Sequence, residues 1–104
     1  MNDSLTFNQL RKALSERGEG YAGVYDWSPT DWGCAAAGEM GELCNLLKKM
    51  RRGTHVELKD VAYEIADTVM YLDLLAARLG IELDLAVREK FNIVSERLGL
   101  KNRL

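Results

Sequence analysis

The chain has 104 residues, 47% hydrophobic and 29% charged, a balance that fits one globular domain over residues 1–104 and carries no disorder signature. A net charge of −2 argues against a general nucleic-acid binder, and no apolar run approaches the ~20 residues that span a bilayer. Met1-Asn2-Asp3-Ser4 lacks the basic and apolar regions of a signal peptide, so a cytoplasmic location is expected. Cys34 and Cys44 are too few for a disulfide framework and read as reduced, packing thiols.

Hydrophobic periodicity predicts four helices and no strand. The first spans about Phe7 to Arg17. Thr6 and Gln9 form a capping-box pattern, Leu5 and Leu10 can make a hydrophobic staple, and Gly18 is expected to stop the helix. A loop rich in Gly and aromatics follows to Trp27. Ser28 is a good N-cap, Pro29 suits the first helical position, and Asp31 favours the positive helix end. The second helix runs to about Arg52 and stops at Gly53. Lys48, Lys49, Arg51 and Arg52 in its last turn read as a solvated helix end that complements the dipole. The third runs from about Val56 to Leu79, and the fourth from Leu83 or Asp84 to just before Gly99. The expected class is all-α, a four-helix bundle-like arrangement with short connections. A chain this short buries a modest core, so self-association is plausible.

Two acid pairs stand out. Glu39 and Glu42 lie on the second helix, Glu64 and Asp67 on the third, each pair spaced i, i+3 so that both carboxylates share one side. On the second helix Trp32, Ala35, Ala36, Leu43, Leu46, Leu47 and Met50 form an apolar stripe. Glu39 falls inside it and Glu42 at its edge. An acid pair on a helix is ordinarily a solvated face, but a carboxylate within an apolar stripe needs its charge compensated. Gly38 and Gly41 each cost about 1 kcal/mol of helix propensity, which a close approach by another backbone or a ligand would offset. On the third helix Leu58, Val61, Ile65, Val69, Leu72 and Leu79 form the main apolar face, and Tyr63, Met70 and Leu74 a smaller one. Asp60, Glu64, Asp67 and Tyr71 lie in the strip between. The bland alternative is a helix with one polar edge; the sharper one is a crevice wall on a helix with partners on two sides, as in a dimeric bundle.

Convergent carboxylates without histidine favour a hard cation, Mg²⁺ or Mn²⁺, over zinc. Mg²⁺ binds substrate phosphates together with one or two carboxylates, so a nucleotide or other polyphosphate is the natural substrate class. The one histidine, His55, falls in a loop and reads as a surface residue; a ferritin-like di-iron site would need Glu-x-x-His pairs. Lys90 and Arg97 share a face of the fourth helix and could reach phosphates, or simply snorkel. Tyr21, Tyr25, Trp27 and Trp32 surround the entry to the second helix, and Trp32 is the best candidate to stack on a base, core packing being the alternative.

The stretch Pro29-Thr-Asp-Trp-Gly-Cys-Ala35-Ala-Ala-Gly38-Glu39-Met-Gly41-Glu42-Leu43, followed by Glu64-Ile-Ala-Asp67, resembles the MazG-like all-α nucleoside triphosphate pyrophosphatases, whose signature is E-x-x-E, a spacer, then E-x-x-D. The likeness extends over roughly Pro29 to Arg97. It implies that Glu39, Glu42, Glu64 and Asp67 bind Mg²⁺ and catalyse hydrolysis of a nucleoside triphosphate, common or modified, to the monophosphate and pyrophosphate. A metal-activated water would attack the α-phosphorus with a carboxylate as base. It further implies a dimer, or a tetramer of dimers, with the site near subunit contacts. Lys90, in Glu89-Lys90-Phe91, resembles the family's basic position on the last helix. Several relatives carry Asn four residues later, where this chain has Val94, and Asp31 stands where some dCTP-directed relatives carry Asn. Base preference therefore does not transfer. Two other readings stay open: the same fold acting on phosphoribosyl-ATP or an alarmone, and a non-catalytic helical dimer that senses nucleotide or metal.

Overall fold

The computed structural model describes residues 4–19 and 26–104. Four helices follow in order: α1 (Phe7–Glu19), α2 (Pro29–Arg51), α3 (Leu58–Arg78) and α4 (Leu83–Arg97), with no strand among the described residues. The expected all-α class is therefore present. Tyr21 and Tyr25, and most of the loop expected before α2, lie outside the described residues.

Local signals set most boundaries. The Gln9 backbone N–H donates to Thr6 Oγ1 at 3.0 Å, and the Thr6 N–H donates back to Gln9 Oε1 at 2.8 Å, closing the capping box of α1. At α2 the Asp31 N–H donates to Ser28 Oγ at 3.2 Å and the Ser28 N–H to Asp31 Oδ2 at 2.9 Å, with Pro29 in the first turn. Gly53, at φ 85°, takes the left-handed conformation that ends α2, and the Thr54 N–H turns back to the Lys49 carbonyl at 3.0 Å. One expected boundary is wrong. Gly18 does not stop α1, which continues to Glu19; Gly18 is buried and lines a cavity beside Trp32.

The α2–α3 hairpin is the main packed unit, with α1 laid on α3 and α4 lightly against α1. Among the described residues, Leu14, Trp32, Ala36, Leu43 and Ala76 are the buried hydrophobics. One buried ion pair fixes α1: Arg11 Nε donates to Asp73 Oδ2 at 3.0 Å and Nη2 to Oδ1 at 3.2 Å, while Nη2 also donates to the Ile81 carbonyl at 2.8 Å. Asp73 is fully buried, so this guanidinium ties α1, α3 and the α3–α4 turn to one charge.

The helices do not close into a compact bundle within one chain. The radius of gyration is 16.4 Å, against roughly 13 Å for a compact domain of this length. The larger apolar face of α3 is left uncovered: Leu58, Ile65, Val69, Leu72 and Leu79 are all exposed. Cys34 and Cys44, expected to pack, are exposed as well, because α2 packs extensively on α3 alone and its outer side is bare. Nor does any described residue approach Gly38 or Gly41, each with open space within 4 Å of where a Cβ would stand. None of the described helices is long and apolar enough to cross a membrane.

Candidate metal centre

Glu39 and Glu42 project from the middle of α2, Glu64 and Asp67 from the facing side of α3. The two helices run antiparallel, which brings the two i, i+3 pairs together. One carboxylate oxygen from each of Glu39, Glu64 and Asp67 lies within 4.8 Å of the other two. Carboxylate oxygens this close could share one cation if the side chains moved inward. All three residues are half-buried. Glu42 is exposed and stands next to the triad, lining the same crevice as Glu64 and Asp67.

The electrostatics follow from that crowding. The Glu64 pKa is raised from 4.5 to about 7, first by hydrogen bonding with Glu39, then by burial of the carboxyl, then by the negative charges of Glu39 and Glu42 and a hydrogen bond with Glu42. As a carboxylate, Glu64 has nothing to offer its neighbours: its Oε2 is buried without a hydrogen-bond partner. A proton shared with Glu39 would satisfy that atom. A divalent cation would do so as well, and would relieve the repulsion among all four acids. The donor set, all carboxylate and no histidine or thiol, suits Mg²⁺ or Mn²⁺.

The acid crevice has a volume of about 530 Å³. Asn45, Leu46 and Lys49 continue its α2 wall beyond Glu42, and Asp60 and Tyr63 its α3 wall before Glu64. Lys49 was expected to be a solvated helix end; the spacing of seven residues from Glu42 is the signal that places it on the same face. Lys90 and Arg97 are exposed on α4, and neither lines this crevice, because α4 packs against α1. His55 is a surface residue as expected, its Nε2 2.8 Å from Glu57 Oε1.

Towards the start of α2 and the end of α3, where α1 also packs, lies an aromatic cluster. Trp27 and Trp32 have ring centroids 4.5 Å apart, and Trp32 and Tyr71 6.0 Å. Arg78 Nε donates to the Trp27 carbonyl at 3.1 Å and so ties the segment before α2 to the end of α3. Two adjoining cavities, about 240 and 440 Å³, share Leu14, Gly18, Trp32 and Leu74 in their walls. Trp32 is only 5% exposed, so the stacking candidate is largely a core residue, with Trp27 the more open ring at 37%. Neither a comparison with protein-family models nor one with curated proteins gives a match to this chain.

Proposed function

We propose that the chain is a Mg²⁺-dependent nucleoside triphosphate pyrophosphatase. The observation that carries this reading is the convergence of Glu39, Glu64 and Asp67 from two facing helices around the unpartnered Glu64 Oε2. Structural ion pairing does not explain it, since no cation pairs with these acids among the described residues. The aromatic cavity between α1, α2 and α3, on the Trp32 side of the acids, supplies a surface for a flat base. The likeness to the MazG-like signature points the same way.

In this reading Glu39, Glu64 and Asp67 would hold the metal. When bound, Mg²⁺ supplies positive charge against the phosphate oxygens and lowers the pKa of a water. Glu42, beside the triad and open to solvent, takes a proton from the attacking water. The water oxygen bonds to the α-phosphorus as the bond from that phosphorus to the α,β-bridging oxygen breaks. The electron pair leaves with that oxygen as pyrophosphate, and the proton passes from Glu42 to bulk solvent.

Self-association belongs to the same proposal. The exposed stripe Leu58, Ile65, Val69, Leu72 and Leu79 repeats at spacings of seven, four, three and seven residues, the pattern of a helix seam that faces a partner helix.

Pyrophosphate release from each common NTP and dNTP, with Mg²⁺ and with chelator, tests the activity. We expect metal-dependent release that Glu39→Gln lowers at least a hundredfold while the circular dichroism spectrum is retained. Release that survives in Glu39→Gln would separate the activity from this cluster.

A further inference from the structure

We propose that Lys49 holds the terminal phosphates of the substrate, and with them the leaving pyrophosphate. It thereby fixes the direction in which the nucleotide lies along the α2–α3 hairpin. This rests on the pyrophosphatase reading.

The order of residues along the two antiparallel helices carries the inference. On α2 the sequence runs from Trp32 through Glu39 and Glu42 to Lys49; on α3 it runs in reverse, from Tyr71 through Asp67 and Glu64 to Asp60. The aromatic cavity therefore lies towards one end of the hairpin, the acid cluster in the middle and Lys49 towards the other end. A nucleotide with its base at the aromatic end and its α-phosphate at the acids must point its outer phosphates towards Lys49.

Charge makes the same demand. The crevice holds Glu42, Asp60, Glu64 and Asp67, and Lys49 is the one cation among the described side chains that line it. A polyphosphate entering that acid-lined space is repelled wherever the metal does not reach. Lys49 answers that repulsion, and it is free to do so, because it forms no ion pair with the acids around it. Seven residues of helix separate the backbones of Glu42 and Lys49 by about 10 Å. Helical side chains lean the same way along the axis, so that offset is kept between the Glu42 and Lys49 side chains and leaves a gap along the crevice wall. Asn45, one turn before Lys49 on the same wall, offers an amide within that gap.

The bland role for Lys49 is to complement the negative end of α2. Three measurements on Lys49→Met and Lys49→Arg separate the two roles. First, calorimetric titration with magnesium tripolyphosphate should give binding to the wild-type chain that Lys49→Met weakens about ten- to a hundredfold and Lys49→Arg largely restores. Second, affinity for Mn²⁺ alone should hold or tighten in Lys49→Met, since a repelling charge has gone. Third, in steady-state hydrolysis pyrophosphate should inhibit Lys49→Met at least tenfold more weakly than wild type, with inhibition by the nucleoside monophosphate unchanged. A change confined to melting temperature, or equal weakening of both product inhibitions, would overturn the proposal. So would failure of the wild-type chain to bind tripolyphosphate. Wild-type hydrolysis that Lys49→Met leaves intact would refute the role of Lys49 and leave the pyrophosphatase reading standing. Tripolyphosphate binding that depends on Lys49, without hydrolysis of any nucleotide, would support the phosphate grip and refute the enzyme.

Discussion

Glu64 is the residue on which the candidate centre turns. Its pKa of about 7, against 4.5 for an unperturbed glutamate, means that the folded chain keeps a proton that the unfolded chain releases. Without metal, the contribution of this group to stability is therefore greatest at or below about pH 4.5 and declines as pH rises towards 7. Metal binding has the opposite sign, because the cation needs the carboxylate. The apparent affinity for Mn²⁺ should rise about tenfold per pH unit up to about pH 7 and level off above it. In Glu39→Gln the negative charge of Glu39, one of the causes of the shift, is gone while an oxygen that can accept from Glu64 remains, so the levelling-off should move to somewhat lower pH even as the affinity falls. Titration calorimetry across pH 5.5 to 8.5 reads both. A flat profile for the wild-type chain would show that Glu64 is not a ligand.

Among the elements, α1 depends most on a single contact. It touches the hairpin through Leu14 and through Arg11, whose partner Asp73 has no exposure at all. Arg11→Ala leaves that carboxylate buried and unpaired, which should cost about 3 kcal/mol in urea unfolding at fixed protein concentration. The double variant Arg11→Met/Asp73→Leu should recover most of the loss, because it removes both charges together. If the double variant is no better than the single one, the pair does more than neutralise itself. None of this was legible in the sequence, where Asp73 looks like any acid on a helix and its partner is 62 residues away. The caps at Thr6 and Ser28 were legible, because each is closed by residues three positions apart. The acid pairs were legible for the same reason, their i, i+3 spacing deciding their side of the helix. Gly18 reads as a stop in the sequence because a glycine after a periodic run ordinarily is one. Here the helix continues through it, and the bare backbone lines the cavity beside Trp32. Lys49 reads in the sequence as a helix-end charge because a cation in a last helical turn already has a reason to be there.

For the molecule as a whole, the decisive quantity is the apolar surface that one chain cannot cover. The sequence marks Leu58, Val61, Ile65, Val69, Leu72 and Leu79 as the main apolar face of α3. In the single chain all but Val61 are exposed, by 39% at Val69 and up to 71% at Leu58. α3 uses its other side, the one that carries the acids, to meet α2. Leu85, Val87, Phe91 and Ile93 add exposed apolar surface on α4. A stripe of this length, at a contribution of roughly 25 cal/mol per Å² once buried, is a strong drive for pairing with a second copy. The same pairing would raise the density of a chain whose radius of gyration exceeds that of a compact domain. Light scattering coupled to size exclusion should therefore give a dimer, or a multiple of it, at micromolar concentration. Val69→Glu and Leu72→Glu place a charge in the middle of the stripe and should shift the chain to monomer with a lower melting temperature. Glu64 and Asp67 lie beside that stripe, on the side of α3 that meets α2, so the tripolyphosphate binding expected of the wild type tests whether they depend on the pairing. Binding retained in a folded monomeric Val69→Glu would make each hairpin a complete site, and binding lost on dissociation would make the dimer the working unit. A wild-type chain that stays monomeric at every concentration would leave the stripe without a second copy to cover it.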